Sequence, residues 1–192
     1  MGTLIFATNN PHKVSEIRSI LGMDYHIITL LEAGIKIDIP EPHATLEQNA
    51  TEKSSAIYQL TGKDCFSEDT GLEVNALNME PGVKSARYAG NNSSNIENVQ
   101  KLLLNMAGKA DRSAQFRTII SLLIQGVEYQ FEGTCKGTIL AYTRGGGGFG
   151  YDPIFVPEGS TNTFAEMDII EKNHFSHRQK AVSKMITFLR SL

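Results

Sequence analysis

The chain has 192 residues, 41% hydrophobic and 20% charged, with a formal net charge of −3, which is enough for one substantial core and leaves room for only a small second domain. It has no run of Lys or Arg, so it lacks the basic stripe that long nucleic acid demands. Cys65 and Cys135 are the only cysteines and belong to no C-x-x-C or Cys/His cluster, which argues against zinc and a disulfide scaffold and points to a reducing cytoplasm.

The opening run from Met1 to Ala7 has no basic lead and turns polar at Thr8, so no signal peptide is expected, and no stretch approaches the roughly 18 apolar residues of a membrane span. Thr3 to Ala7 reads as a buried strand. Asn10-Pro11 reads as an N-cap with proline at the first helical position, and Val14, Ile17 and Leu21 supply the apolar stripe of the helix that follows. An irregular stretch runs through Pro40 and Pro42. Thr45-Leu46-Glu47-Gln48 then has capping-box form, with Gln48 placed to reach back to the Thr45 backbone and Leu46, Ala50, Ile57 and Leu60 as the buried face. Asp64 to Val74 suits a strand with a polar interruption at Ser67 to Gly71, where Gly71 permits a backbone conformation that other residues resist.

Pro81-Gly82 marks a turn. Ile96, Val99, Leu102, Leu103 and Met106 make another amphipathic helix, ended near Gly108. Ala114 to Ile124 and Val127 to Leu140, joined by Gln125-Gly126, predict an antiparallel hairpin. Gly145 to Pro153 is too glycine-rich for a regular element and leads into a short strand, Ile154 to Val156. The last helix opens at Ser176-His177-Arg178-Gln179, a second capping box, and buries Ala181, Met185, Phe188 and Leu189. Helices interleaved with strands, then a hairpin, predict an α/β or α+β domain with a mixed sheet.

Several segments could carry chemistry. Thr8-Asn9-Asn10-x-x-Lys13 places a hydroxyl, amides, helix N-terminal N–H groups and an ammonium within one turn, the equipment for holding phosphate; alone, it also fits a plain capped helix. There is no G-x-x-x-x-G-K-[ST] segment, which argues against a Walker-type ATPase or GTPase, and no G-x-S-x-G elbow. Glu41, Glu68 and Asp69, without local lysine partners, could hold magnesium, a hard ion that prefers oxygen ligands; alone, the acidic pair fits a solvated turn. Lys53, beside an apolar stripe, and Lys172, in an irregular stretch, could neutralise phosphate. Phe149 and Tyr151 beside the glycine run suggest a loop that passes close to a flat ligand such as a purine, and stacking there contributes on the order of 1 to 3 kcal/mol. His177 and Arg178 in a first helical turn oppose the helix dipole, which an oxygen-rich ligand would offset.

Taken together, five ordered blocks carry a resemblance. Phe6-Ala7-Thr8-Asn9-Asn10-x-x-Lys13, Ser67-Glu68-Asp69-Thr70-Gly71-Leu72, Pro81-Gly82-x-x-Ser85-Ala86-Arg87-Tyr88-Ala89-Gly90, Gly148-Phe149-Gly150-Tyr151-Asp152-Pro153 and Lys172-Asn173-x-x-Ser176-His177-Arg178 occur in this order across essentially the whole chain. The set resembles the inosine triphosphate pyrophosphatase family. That resemblance implies a long, curved mixed sheet in a single two-lobed domain spanning 1–192 with a nucleotide cleft, usually as a homodimer, and Mg2+-dependent cleavage of ITP, dITP and XTP to the monophosphate and pyrophosphate. Carried over, Thr8, Asn9, Asn10, Pro11, His12 and Lys13 would bind the triphosphate, assisted by Lys53 and Lys172. Glu41, Glu68 and Asp69 would hold magnesium, and Asp69 would accept the proton of the attacking water beside Thr70. Phe149 would stack on the base in a loop shared with Gly150 and Tyr151. Asp152, His177 and Arg178, with Ser176 beside them, would read the base edge. Two alternatives stand beside this reading: a pyrophosphatase of modified pyrimidine nucleotides, and a purine-nucleotide-binding regulator without catalysis.

Overall fold

The computed structural model describes residues 3–21 and 25–192; Met1 and Gly2 of the opening apolar run lie outside the described residues. The elements run β1 (Thr3–Phe6), α1 (Pro11–Leu21), β2 (His26–Thr29), α2 (Leu46–Thr61), β3 (Cys65–Val74), β4 (Pro81–Gly82), α3 (Asn95–Asn105), β5 (Ser113–Ile124), β6 (Val127–Ile139), β7 (Phe155–Pro157), α4 (Ile169–Phe175) and α5 (His177–Leu189). The strands are ordered β2-β1-β3-β5-β6-β7, with β4 on β3. β1 is parallel to β2 and β3, whereas β3–β4 and β6–β7 are antiparallel, so the sheet is mixed as expected.

The chain divides into two compact units, 1–69 with 118–133 and 178–192, and 70–117 with 134–177. In the first unit, the two-residue period of β1 sends its side chains to two cores. Leu4 and Phe6 pack with α1 (Val14, Ile17, Leu21) and α5 (Ala181, Val182, Met185), and the Phe6 ring stacks on Phe66 at 4.5 Å. Ile5 and Ala7 pack instead with Ile57 of α2, Cys65 and Leu123. In the second unit, Leu72 and Val74 of β3, Leu102 and Met106 near α3, Phe116, Ile139, Phe155 and Phe164 form one core.

Local signals account for most of these boundaries. Asn10 Oδ1 accepts from the His12 and Lys13 amides, which caps α1. Thr45 accepts from the Gln48 amide, which caps α2, but Gln48 returns its side chain to the Thr45 hydroxyl rather than to the backbone. Gln125 and Gly126 both take positive φ, the geometry that a two-residue hairpin turn requires.

Elsewhere the structure departs from the local pattern. β2 and α4 leave no periodic signal: β2 is only four residues long and bounded by polar ends, and α4 has seven residues, too few for an apolar period. β3 runs unbroken through Ser67 to Gly71, because the polar side chains there find buried partners. Gly71 needs no unusual φ; a Cβ would stand 2.5 Å from the Gly82 carbonyl oxygen, so close approach of β4 excludes one. Pro81-Gly82 is accordingly a short strand rather than a turn. Leu60 and Ile96 are 58% and 69% exposed, each in a terminal turn of its helix where the buried stripe ends.

Candidate functional site

The first unit gathers the acidic and cationic candidates. Glu68 and Asp69 are neighbours on β3, and both are buried, at 2% and 6% exposure, so a solvated turn is overturned. Adjacent strand residues face opposite ways, and their partners follow suit. Glu68 meets α1 and α5: Arg178 Nε and Nη2 donate to its two oxygens at 2.7 and 2.8 Å, and Lys13 Nζ lies 3.1 Å from Oε1. Arg178 Nη1 also donates to Glu16. Burial opposes ionisation of Glu68, but Arg178 and Lys13 outweigh it and hold the carboxyl well below its ordinary range. With both oxygens engaged, Glu68 is the counterion of a buried arginine. Among the described residues no three His, Cys, Asp or Glu converge on one point.

Asp69 meets α2 instead. Lys53 Nζ donates to Asp69 Oδ1 at 3.1 Å and to Glu41 Oε1 at 2.6 Å. Lys53 is therefore a buried ion-pair partner rather than a snorkelling surface residue. One ammonium between two carboxylates leaves a negative surplus. The Asp69 carboxyl is pushed up, first by burial and then by Glu41 against the pull of Lys53. Burial works against the Lys53 charge, but Asp69 and Glu41 outweigh it and raise that pKa too. Asp69 Oδ2 is buried and, among the described residues, accepts no hydrogen bond. A buried polar atom in that condition is rare enough to need a reason, and a negative cluster of hard oxygens offering one uncommitted acceptor suits a divalent cation that fills its remaining positions with water or phosphate.

The loop before α1 differs from expectation. Asn10 N donates to Thr8 Oγ1, and the His12 and Lys13 amides go to Asn10, so the N–H groups expected to be free for phosphate are capped from within. Asn9 Nδ2 donates to the Ile37 carbonyl at 3.0 Å. Pro11 and His12 are exposed. Lys13 of this motif aims its charge into the cluster.

The second unit gathers the aromatic candidates. Asp152 Oδ2 accepts from the Phe149 amide at 2.9 Å and from Lys172 Nζ at 2.6 Å. Lys172 lies on α4, not in an irregular stretch, and its ammonium is 5.3 Å from the Phe149 ring and 5.2 Å from the Phe164 ring. The His177 ring stacks on Phe116 at 4.7 Å. Gly148 has φ +70, and a Cβ there would overlap the Asp152 carboxylate, which explains one glycine of the run. The Tyr151 side chain is buried in the core, and its hydroxyl donates to the Ser85 carbonyl at 2.8 Å. Thr70 is half-buried, Ser176 is buried as the C-cap of α4, and Gly150 has open space around its Cα.

Ser176 and His177 thus belong to the aromatic group and Arg178 to the carboxylate group. One participant was missed, Glu16. It is a polar residue inside an apolar helical stripe, beside Ile17, and that misplacement is the signal that could have found it.

The first unit thus carries a lysine-bridged carboxylate pair, and the second an aromatic loop beside the Lys172 ammonium of α4. The Ham1 family model matches residues 4–188. The chain is 50% identical over 190 residues to a dITP/XTP pyrophosphatase of Porphyromonas gingivalis, covering 98% of both chains, and 46% identical to one of Flavobacterium psychrophilum, covering 98% and 99%. Among solved structures it is similar to the Staphylococcus aureus Ham1 protein, with TM-score 0.89 and 38% identity over 98% of each chain. A Coxiella burnetii HAM1 protein matches with TM-score 0.90 and 35% identity over the full length of both. The chain belongs to the Ham1 family.

Proposed function

We propose that this chain hydrolyses deaminated purine nucleoside triphosphates (ITP, dITP and XTP) between the α and β phosphates, releasing the nucleoside monophosphate and pyrophosphate and clearing these nucleotides from the pool. The full-length relatives called dITP/XTP pyrophosphatases support the reading. The observation in this chain that carries it is the buried, uncommitted Oδ2 of Asp69 within a cluster of surplus negative charge.

Glu41 and Asp69 are the residues that would hold Mg2+, which when bound supplies positive charge to the phosphate oxygens and favours ionisation of water. Asp69 takes the proton as the oxygen of water attacks the α phosphorus, and the bond to the β phosphate breaks with its electrons leaving on pyrophosphate. Lys13 and Lys53 neutralise the triphosphate. Glu68 holds Arg178 rather than metal, so Arg178 is withdrawn from base reading. For the base, Phe149 is the residue that would stack on it, and Lys172 and His177 are the donors that would meet its 6-oxo group. Adenine presents an amino group at that position, and a site that leaves buried donors unpaired rejects the wrong ligand by as much as about 10⁴ to 10⁵. The proposal includes a single two-lobed domain, a homodimer and a cytoplasmic location; light scattering on purified protein checks the dimer.

Purified protein with ITP and Mg2+ is expected to release pyrophosphate, to stop on addition of a chelator, and to turn over ATP far more slowly. Orthophosphate as the first product would refute the assigned bond.

A further inference from the structure

Glu41 occupies an unlikely place for a residue that must be held still. The segment 35–45 forms no helix or strand and is mostly exposed, and a side chain on such a segment is positioned only if the backbone beside it is tied down. The tie comes from α2. Asn49 is 0% exposed in the middle of the helix's apolar stripe, between Leu46 and Ala50, a position where a polar amide is costly unless fully bonded. Both of its polar atoms go to one residue: Oδ1 accepts from the His43 amide at 2.9 Å, and Nδ2 donates to the His43 carbonyl at 3.2 Å. His43 lies two residues beyond Glu41. Asn9, four residues on the other side at Ile37, adds a second, exposed tether. One helical turn after Asn49, the same face of α2 presents Lys53 to Glu41 and Asp69.

We infer that Asn49 is a positioning residue for the candidate metal site: it grips the His43 backbone and so fixes Glu41 opposite Asp69, while Lys53 from the same helix bridges the two carboxylates. The clamp replaces secondary structure. A two-point grip on one residue, holding the peptide groups on both sides of its Cα, sets the local backbone direction as well as its distance from the helix, which a single hydrogen bond cannot do. When the clamp is lost, Glu41 spends most of its time away from the site, and the apparent affinity for a divalent ion falls by the fraction of time the segment is in place.

The inference rests on the metal-holding roles proposed above for Glu41 and Asp69, and on the proposed reaction only for its enzymatic readout. Asn49→Ala is expected to raise the dissociation constant for Mn2+, measured by electron paramagnetic resonance on nucleotide-free protein, about tenfold, the equivalent of losing roughly one to two net hydrogen bonds. It should speed hydrogen exchange across residues 37–44 and leave the KM for ITP at saturating Mg2+ within about twofold. In a Glu41→Gln background the same substitution should cost no further Mn2+ affinity, because it acts through Glu41. An unchanged Mn2+ constant, or losses that add in the double variant, overturns the inference. Should Asn49→Ala not fold, wild-type exchange decides: the His43 amide must be protected like those of α2, and exchange at the rate of an open loop refutes the clamp. A failure of wild-type protein to cleave ITP would count against the proposed function alone, since Mn2+ binding and exchange are read without substrate.

Discussion

Replacing Arg178 with Met tests whether this arginine serves the fold or the ligand. Its guanidinium is 1% exposed and makes charge-assisted bonds to Glu68 and Glu16, both buried. Removing one partner of a buried ion pair costs about 3 to 5 kcal/mol, because the remaining charge is left in a poor solvent. Glu68 keeps Lys13 at 3.1 Å, which places the expected loss near the lower end, about 3 to 4 kcal/mol. For a domain of this length that is a fall in Tm of about 6 to 16 °C. Arg178→Lys keeps the charge but cannot span both Glu68 oxygens and should lose about 1.5 to 3 kcal/mol. Adding Glu68→Gln to Arg178→Met should restore part of the stability, since it removes the charge left unpaired. Thermal unfolding followed by circular dichroism measures all three. If Arg178→Met keeps the wild-type Tm but loses turnover, the arginine acts on substrate and the counterion argument is wrong.

Asp69→Asn is expected to lower pyrophosphate release by about 10²- to 10⁴-fold while ITP binding stays measurable by calorimetry; full activity would remove Asp69 from proton transfer. The depressed Glu68 carboxyl has a pH consequence. Its folded pKa lies below the ordinary value of 4.5, so the unfolded chain binds the proton more readily than the folded one. The stabilisation is complete above that value and is lost as pH falls beneath it. Tm should therefore drop between about pH 5 and pH 3, and drop less steeply in Glu68→Gln; parallel curves for the two proteins would assign the acid loss elsewhere. Gly148→Ala, at φ +70 and against the Asp152 carboxylate, should lower stability by about 1 to 3 kcal/mol and loosen Asp152 from Lys172. Gly146→Ala, with open space around its Cα, should leave Tm within about 2 °C. Equal effects of the two substitutions would sink the steric argument.

The legible part of the molecule was the part governed by neighbours in the chain. The Asn10 and Thr45 caps, the Gln125-Gly126 turn and the long strands of the hairpin rest on interactions spanning a few residues, and they stand where the local pattern put them. The ordered motifs likewise pointed to the family that the comparisons establish. Element ends were less legible: β2 and α4 are too short for a period to emerge, and Leu60 and Ile96 have the right spacing but lie where their stripes run out.

What each charge is for was decided only in three dimensions. Glu68 and Asp69 are one residue apart, yet the alternation of β3 sends them to different helices, one to close an ion pair with a residue 110 positions away and the other to share Lys53 with Glu41. A carboxylate's role depends on whether burial is offset by a partner, and partners from α1, α2 and α5 are brought together by the packing of apolar side chains. The amino-acid order set which residue types were available and where the chain turns. Desolvation and strand alternation then determined which became counterions and which kept an oxygen free.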